Sequence, residues 1–166
     1  PLGWFYPEAG ERARMDGAAK EGGVTLHGTG IHPGGITERF PLMVSALSNA
    51  IRYVRAEEFS DIRTYGAPDV VRHVMLFGAT PEEAADSIML NVLGAGFIQS
   101  VHMVADTLGF RLDPELTTSH EVAVATAPID SPIGPIEPGL VAAQRFRWTG
   151  TVDGEPLTDE EIIGDL

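Results

Sequence analysis

The chain has 166 residues, with 11 Lys+Arg against 24 Asp+Glu and a formal charge of −13 at pH 7. A negative field of this size repels phosphate backbones and anionic lipid, and the Arg residues and the single Lys20 are scattered, so nucleic acid and membrane surfaces are excluded as partners. With 43% hydrophobic and 21% charged residues and no cysteine, the composition is that of a globular core without disulfides or thiolate chemistry, and the cytoplasm is the expected compartment.

The opening Pro1-Leu2-Gly3-Trp4-Phe5-Tyr6-Pro7 has no basic region followed by an apolar one, so it reads as a start inside a longer protein rather than a signal peptide. From Pro7 to Lys20 charged residues alternate with Ala, acids first and Lys last, which predicts a solvated helix stopped by Gly22-Gly23. Val24-Thr25-Leu26-His27 is then a compact β-branched and apolar run, predicting a strand that enters the glycine-rich stretch Gly28-Thr29-Gly30-Ile31-His32-Pro33-Gly34-Gly35. Thr37 is an acceptable N-cap for a helix carrying Phe40, Leu42, Met43, Val44, Leu47 and Ile51.

Arg52 to Ser60 predicts a strand, Asp61 to Pro68 a loop, and Asp69 to Phe77 a short helix closed by Gly78. Thr80-Pro81-Glu82-Glu83 marks a firm helix start: a cap, a proline at the first helical position and acids in the first turn. That helix pauses at Gly94-Ala95-Gly96 and resumes through Phe97, Val101, Val104 and Leu108 to Gly109. Its apolar stretch, Ser87 to Ala105, is broken by Asn91, Gln99, Ser100 and His102 and by two glycines, a poor pattern for the about 20 apolar residues of a membrane span.

Beyond Ser119 the texture becomes β-like, with Glu121 to Thr126 and Val141 to Val152 as an antiparallel pair separated by a proline-rich extended loop, Pro128 to Gly139. Asp153-Gly154 signals a hairpin turn, yet the acidic Thr158 to Leu166 reads as a frayed helical turn rather than a returning strand. Six acids fall in the last 14 residues, so part of the −13 is expected to belong to a solvated tail.

The stretch Gly28 to Gly35 is the place where chemistry is expected. Glycines let backbone N–H groups approach a ligand, a following helix N-terminus favours a polar or anionic group, and ligands of open α/β sheets sit at the carboxyl ends of strands. The plain alternative is a tight turn with no ligand. His32, inside this loop, is a candidate hydrogen-bond donor or acid near neutral pH. Gly94-Ala95-Gly96 follows helix rather than strand and lacks the third glycine, so it is expected to serve helix packing. The five histidines carry no metal-ligand spacing; His27 and His32 with Glu38 make the nearest approach to a cluster, and no metal site is predicted. His102 is expected to be a satisfied core or interface histidine. Phe59 and Tyr65 are candidates to line an apolar pocket facing the glycine loop, with core packing as the alternative. No G-x-S-x-G, P-loop or S-x-x-K occurs, and Lys20 on a solvated helix is poorly placed for Schiff-base chemistry.

The order Val24–His27, Gly28-Thr29-Gly30-Ile31-His32-Pro33-Gly34, helix, Glu57-Glu58-Phe59-Ser60, Tyr65 and Leu76-Phe77-Gly78 resembles the dihydrodipicolinate-reductase-like NAD(P)H oxidoreductases, in the branch of 2,4-diaminopentanoate dehydrogenases and native amine dehydrogenases. The resemblance implies an α+β fold: the last strand and helix of a Rossmann-like unit, then a mixed or antiparallel sheet packed on helices. It divides the chain into a remnant of a nucleotide-binding domain (1–48), a substrate and oligomerisation domain (49–157) and an acidic tail (158–166). It implies NADP or NAD as cofactor, bound mainly by an N-terminal half outside this sequence, and a small-molecule amine or ketone as substrate. Gly28, Thr29, Gly30, Ile31, His32 and Pro33 would border the nicotinamide, and Phe59 and Tyr65 would belong to the substrate pocket. The catalytic acid is unassigned and would fall at or before Pro1, with His32 the one catalytic candidate inside the chain. Apart from the resemblance, an antiparallel sheet left with an open edge after Val152 predicts a homodimer or a marginal fold. The alternative is a non-catalytic oligomerisation or interaction module that binds no cofactor.

Overall fold

A computed structural model describes residues 9–28, 30–31 and 34–165, with the backbone alone for residue 9 and residues 159–165. In chain order the elements are α1 (Ala9–Glu21), α2 (Arg39–Ser45), β1 (Val54–Asp61), a 3-10 turn (Ile62–Thr64), α3 (Pro68–His73), α4 (Pro81–Ala85), α5 (Met89–Leu108), β2 (Thr117–Val124), β3 (Val141–Val152) and β4 (Glu155–Asp165). The four strands form one mixed sheet in the order β1-β4-β3-β2, with β1 and β4 parallel and the other pairs antiparallel.

One face of the sheet is covered. Ala142, Gln144, Phe146, Trp148 and Gly150 alternate along β3 as buried residues, and α5 lies on them through Phe97 and Val101. Phe97 stacks on Trp148 at 5.1 Å between ring centroids, and His120 of β2 stacks on Phe146 at 4.3 Å. A second cluster, Ile62, Val71, Phe77, Ala125, Ile136 and Ala142, fills the end of the sheet beside α3. The stretch Pro81–Leu108 is long and apolar enough by length and composition to cross a membrane. Its buried side, with Val101, Val104 and Ala105 at 1% exposure or less, serves the core instead.

Several expectations hold, and the differences have local causes. The Thr80 cap is a full capping box: Thr80 Oγ1 accepts from Glu83 N at 3.3 Å, and the Glu83 carboxylate accepts from Thr80 N at 2.9 Å. The predicted continuous helix breaks after Ala85 rather than at the glycines; Ser87 Oγ accepts from Met89 N, and α5 then runs straight through Gly94-Ala95-Gly96. Gly94 is there for close approach, since a Cβ would lie 3.1 Å from Trp148 Nε1. The helix expected over Asp69 to Phe77 ends at His73, and Leu76 takes a left-handed φ of 61° before Gly78. This turn is bound to the start of β3 by Gly78 N donating to Val141 O and Val141 N to Ala79 O, both at 2.9 Å. The proline-rich loop folds back on itself through an Ile129/Ile136 bridge, which delivers Ile136 to the core.

Two expectations are corrected. Val24–His27 forms no strand: Val24 and Leu26 are exposed, and among the described residues no strand lies beside them, so the β-branched run lacks the ladder that a strand requires. The strand of the implied Rossmann-like unit is therefore not formed here. The segment expected as a frayed, solvated acidic tail is instead β4, an interior strand of the sheet. The Asp153-Gly154 turn, with φ of 53° and 81°, reverses the chain onto β3. The register sets Glu161 opposite Arg147, and Asp159 opposite Arg55, positions at which opposite charges are favourable neighbours.

Asp113 braces that turn. Its carboxylate accepts from Thr151 Oγ1 at 2.5 Å, Gly154 N at 3.0 Å and Asp153 N at 3.2 Å. The Thr151 hydroxyl first, then the backbone N–H groups, hold its pKa below the ordinary carboxylate value. A depressed folded-state pKa means that the stabilisation is complete above the unfolded value and is lost as pH falls through the folded one. Asp113→Asn is expected to lower the melting temperature at pH 7 and to flatten the loss of stability in the acid range below the unfolded carboxylate pKa; thermal melts of both proteins across pH 2–7 check this. Gly150→Ala is expected to destabilise by about 1–3 kcal/mol through overpacking, because its Cβ would lie 2.6 Å from Thr158 Oγ1 and 2.8 Å from a Val101 methyl. Urea titration measures that change.

Candidate functional site

The glycine loop is short-wired to itself. Gly35 N and Ile36 N both donate to Ile31 O, at 3.1 and 2.9 Å, and a Cβ on Gly35 would lie 3.0 Å from Gly30 O, so a side chain there would crowd the turn. Gly34 has φ of 124°. Arg39 Nη2 reaches Gly28 O and His27 Nε2, each at 3.4 Å, linking the entry of the loop to the helix that follows it. Of the predicted cofactor-bordering residues, Gly28, Gly30 and Ile31 are seen, Ile31 exposed and Gly28 half-buried, while Thr29, His32 and Pro33 lie outside the described residues.

Thr37 is not the helix cap. The N-cap position of α2 is Glu38, whose side chain makes no capping bond and turns inward, fully buried. Its two oxygens have separate duties: Oε2 accepts from Gly34 N at 2.5 Å and Oε1 accepts from Ser100 Oγ of α5. Glu38 is near His27 and His32 in sequence, but its carboxylate faces Ser100 of α5, and His32 lies outside the described residues. Among the described residues no group of three His, Asp or Glu side chains converges as a metal site.

A cleft of about 550 Å³ opens between the two core clusters. Met75 and Phe77 form one wall, Met89 and Leu93 of α5 the other, and Gln144 and Phe146 of β3 are the floor. Gln144 is anchored from both sides. Its Nε2 donates to Met75 O, which leaves Oε1 to accept from His120 Nε2 at 2.9 Å and fixes the histidine proton on Nε2. The rim is polar: Glu58, whose carboxylate accepts from Ser60 Oγ at 2.7 Å, with Asp61 and Tyr65 beside it. Asp61 is engaged by Arg63 through Nε and Nη2, at 3.0 and 2.7 Å, and that guanidinium, with the Arg63 backbone N–H, holds its pKa below the ordinary value.

Tyr65 therefore lines the cleft, whereas Phe59 does not. Pleating sends Glu58 and Ser60 toward the cleft and Phe59 to the opposite face of the sheet, where it is 70% exposed. Reading by sequence neighbourhood paired the two aromatics; the period of two separates them. The cleft residues on α5 were also missed, although a signal was present. Met89, Leu93, Ser100 and Val104 fall on one helical stripe, and a serine within an apolar buried stripe demands a partner.

Residues 36–161 match the family described as the 2,4-diaminopentanoate dehydrogenase C-terminal domain. The chain belongs to this family. It is 32% identical over 139 residues to an amine dehydrogenase of Streptomyces virginiae, a match covering 84% of this chain and 39% of that protein. It is 31% identical over 155 residues to 2,4-diaminopentanoate dehydrogenase of Acetoanaerobium sticklandii, covering 90% of this chain and 43% of that protein. The amine dehydrogenase of Mycobacterium smegmatis superposes with a TM-score of 0.69 over 99% of this chain and 48% of its own, at 19% identity, which shows a shared fold. The chain thus spans less than half the length of the relatives it matches. The resemblance drawn from Gly28–Gly34, Glu57–Ser60 and Leu76–Gly78 holds, and the mixed sheet with covering helices is an α+β arrangement.

Proposed function

We propose that this chain is the substrate-binding and oligomerisation half of an NAD(P)-dependent amine dehydrogenase, which interconverts an amine with water and a ketone with ammonia. The observation that carries this reading is the cleft: apolar walls from Met75, Met89, Leu93 and Phe146 under an acidic rim at Glu58 suit an apolar carbon chain bearing a cationic nitrogen. The names of the relatives point to the same substrate class.

The residues present fit the nicotinamide end of the cofactor only. A self-bonded glycine loop with exposed backbone at Gly30 and Ile31 allows close approach of a flat ring, whereas no strand, G-x-G-x-x-G and helix unit occurs in this sequence for the rest of a dinucleotide. When bound, NAD(P) supplies or accepts the hydride at the carbon that carries nitrogen. The chain's own part is to hold that carbon: Tyr65, Met89 and Leu93 enclose the apolar portion and exclude water, Glu58 attracts the ammonium, and the loop from Gly28 to Pro33 limits where the reacting face can lie. Proton transfer at the nitrogen falls to an acid outside the described residues, with His32 the candidate within the chain.

A second domain has a surface to meet. α2 buries no residue against the body, and Phe40, Met43, Val44 and Leu47 are exposed, Leu47 at 88%. Together with Val24, Leu26 and Ile31 they make an apolar surface suited to a nucleotide-binding half. The uncovered face of the sheet, carrying Phe59 and the Arg145–Glu121 ion pair at 3.1 Å, is the proposed homodimer surface.

The test of function is a chimera: this chain placed behind the first half of the Streptomyces virginiae amine dehydrogenase, in place of the matched region. Amine-dependent reduction of NADP⁺ or NAD⁺ followed at 340 nm is expected from the chimera, and no enhancement of NADPH fluorescence from the chain alone at micromolar concentration. Leu47→Lys is expected to leave the melting temperature of the chain unchanged, as an exposed site does, and to abolish turnover of the chimera. Absence of turnover with every amine and ketone tried, from a folded chimera, overturns the reading in favour of a non-catalytic module. For assembly, sedimentation velocity is expected to give a dimer of the chain, and Phe59→Asp a monomer with an unchanged far-UV spectrum; a monomeric parent chain rules the dimer out.

A further inference from the structure

The segment from Val24 to Ser48 meets the rest of the molecule at α5, and its buried residues Gly34, Thr37 and Glu38 precede α2. α2 contributes no buried residue, and the loop's backbone bonds are to itself. One side-chain hydrogen bond joins this segment to α5: Ser100 Oγ donating to Glu38 Oε1. The other oxygen of the same fully buried carboxylate accepts from Gly34 N, at the far end of the glycine loop. Both bonds are charge-assisted in a place that water does not reach, which makes them strong and makes the loss of either costly. Ser100 in turn lies on the helical stripe that carries Met89 and Leu93 to the cleft, seven residues or about 10 Å along the axis from Leu93. One rigid helix therefore positions both the cleft wall and, through one carboxylate, the glycine loop.

We propose that Glu38 is a positioning residue of the site: it ties the Gly34 end of the glycine loop to Ser100 of α5, so that loop and cleft wall keep a fixed separation while substrate is bound. The catalytic consequence rests on the reading of this chain as half of an amine dehydrogenase; the tie itself does not. A packing role and a positioning role differ in what rescues them. If Glu38 only fills space, leucine is the better substitute for it than glutamine. If it positions the loop, Glu38→Gln, which keeps an oxygen for Gly34 N and an amide for Ser100, retains most of the effect, and Glu38→Leu leaves an N–H and an O–H buried without partners.

The first arm of the test is residue-resolved amide exchange by NMR on the whole chain. Ser100→Ala is expected to speed exchange at Gly34 roughly tenfold while Phe97, Val101 and the β3 amides keep their parent rates, Ser100→Thr to restore the parent rate at Gly34, and Glu38→Gln to lie nearer the parent than Glu38→Leu. Unchanged exchange at Gly34 in Ser100→Ala, a uniform acceleration over the chain, or failure of the threonine to restore it overturns the tie. The second arm is amine turnover by the chimera that carries this chain. Ser100→Ala is expected to lower kcat about tenfold or more with KM for the amine changed less than about twofold, the pattern of misplaced rather than unbound reactants. Parent kcat alongside faster exchange overturns the positioning role. A parent chimera that turns over no amine defeats the functional reading, and the exchange arm then still decides the tie.

Discussion

The architecture depends on one contact, the indole of Trp148 laid against α5 with no exposure to solvent. It requires the absence of a side chain at two places. Gly94 on the helix gives the indole edge its room, and Gly150, two residues beyond Trp148 on β3, gives Val101 its own. Glycine within a helix or strand carries an entropic penalty, and here a pair of such penalties is offset by burial of Trp148, Phe97 and Val101, each a large gain in apolar area removed from water. With the helix pressed to the sheet at this point, the N-terminal turns of α5 carry Leu93 and Met89 to the cleft wall, opposite Met75 and Phe77, and the space left between them is the cleft.

Much of this was legible because it follows from local chemistry. The helix start at Thr80, the glycine end of α5, the strand Val141–Val152 and the Asp153-Gly154 turn each rest on residues within a few positions of one another, and each forms as read. What could not be read is what depends on partners far along the chain. β4 was obscured by its acids, since Asp159, Glu160 and Glu161 read as a solvated run, and the parallel partner that makes β4 an interior strand, β1, lies about a hundred residues earlier in the chain. Val24–His27 fails in the opposite sense: its residues favour a strand, and no ladder is offered to it among the described residues.

The site shows the same division. Tyr65 was accessible to sequence reasoning as an aromatic just beyond a strand, and the turn at Leu76-Phe77-Gly78 proves to be structural, a left-handed residue and a glycine that swing Phe77 into the wall of the cleft. Phe59 lies on the face of β1 opposite this cleft, because adjacency in sequence is opposition in a strand. Gln144 and His120 carried no motif; they matter because Gln144 is a polar side chain on the buried face of β3, where both ends of its amide must be satisfied, and the Met75 carbonyl and His120 ring satisfy them. Polar residues that interrupt an apolar period are thus the most useful sequence signal this chain offers. Ser100 and Gln144 each break a buried stripe, and each turns out to join two segments that lie far apart in sequence.

The charge of the chain takes on a different meaning once the acids have places. Asp61 is engaged by Arg63, Asp113 by the β3–β4 turn, and Glu38 by a serine hydroxyl and a backbone amide, so these carboxylates act as structural ties between specific groups. Glu58 differs from them in position: it lies on the rim of an apolar cleft, held by Ser60. A net charge of −13 disfavours anionic ligands in general and steers cations toward the surface, but it confers no selectivity among cations. On the proposed reading, selectivity comes from the cleft rim, where among the described residues Glu58 borders a walled apolar volume and a ligand would gain from its charge and from its carbon chain together.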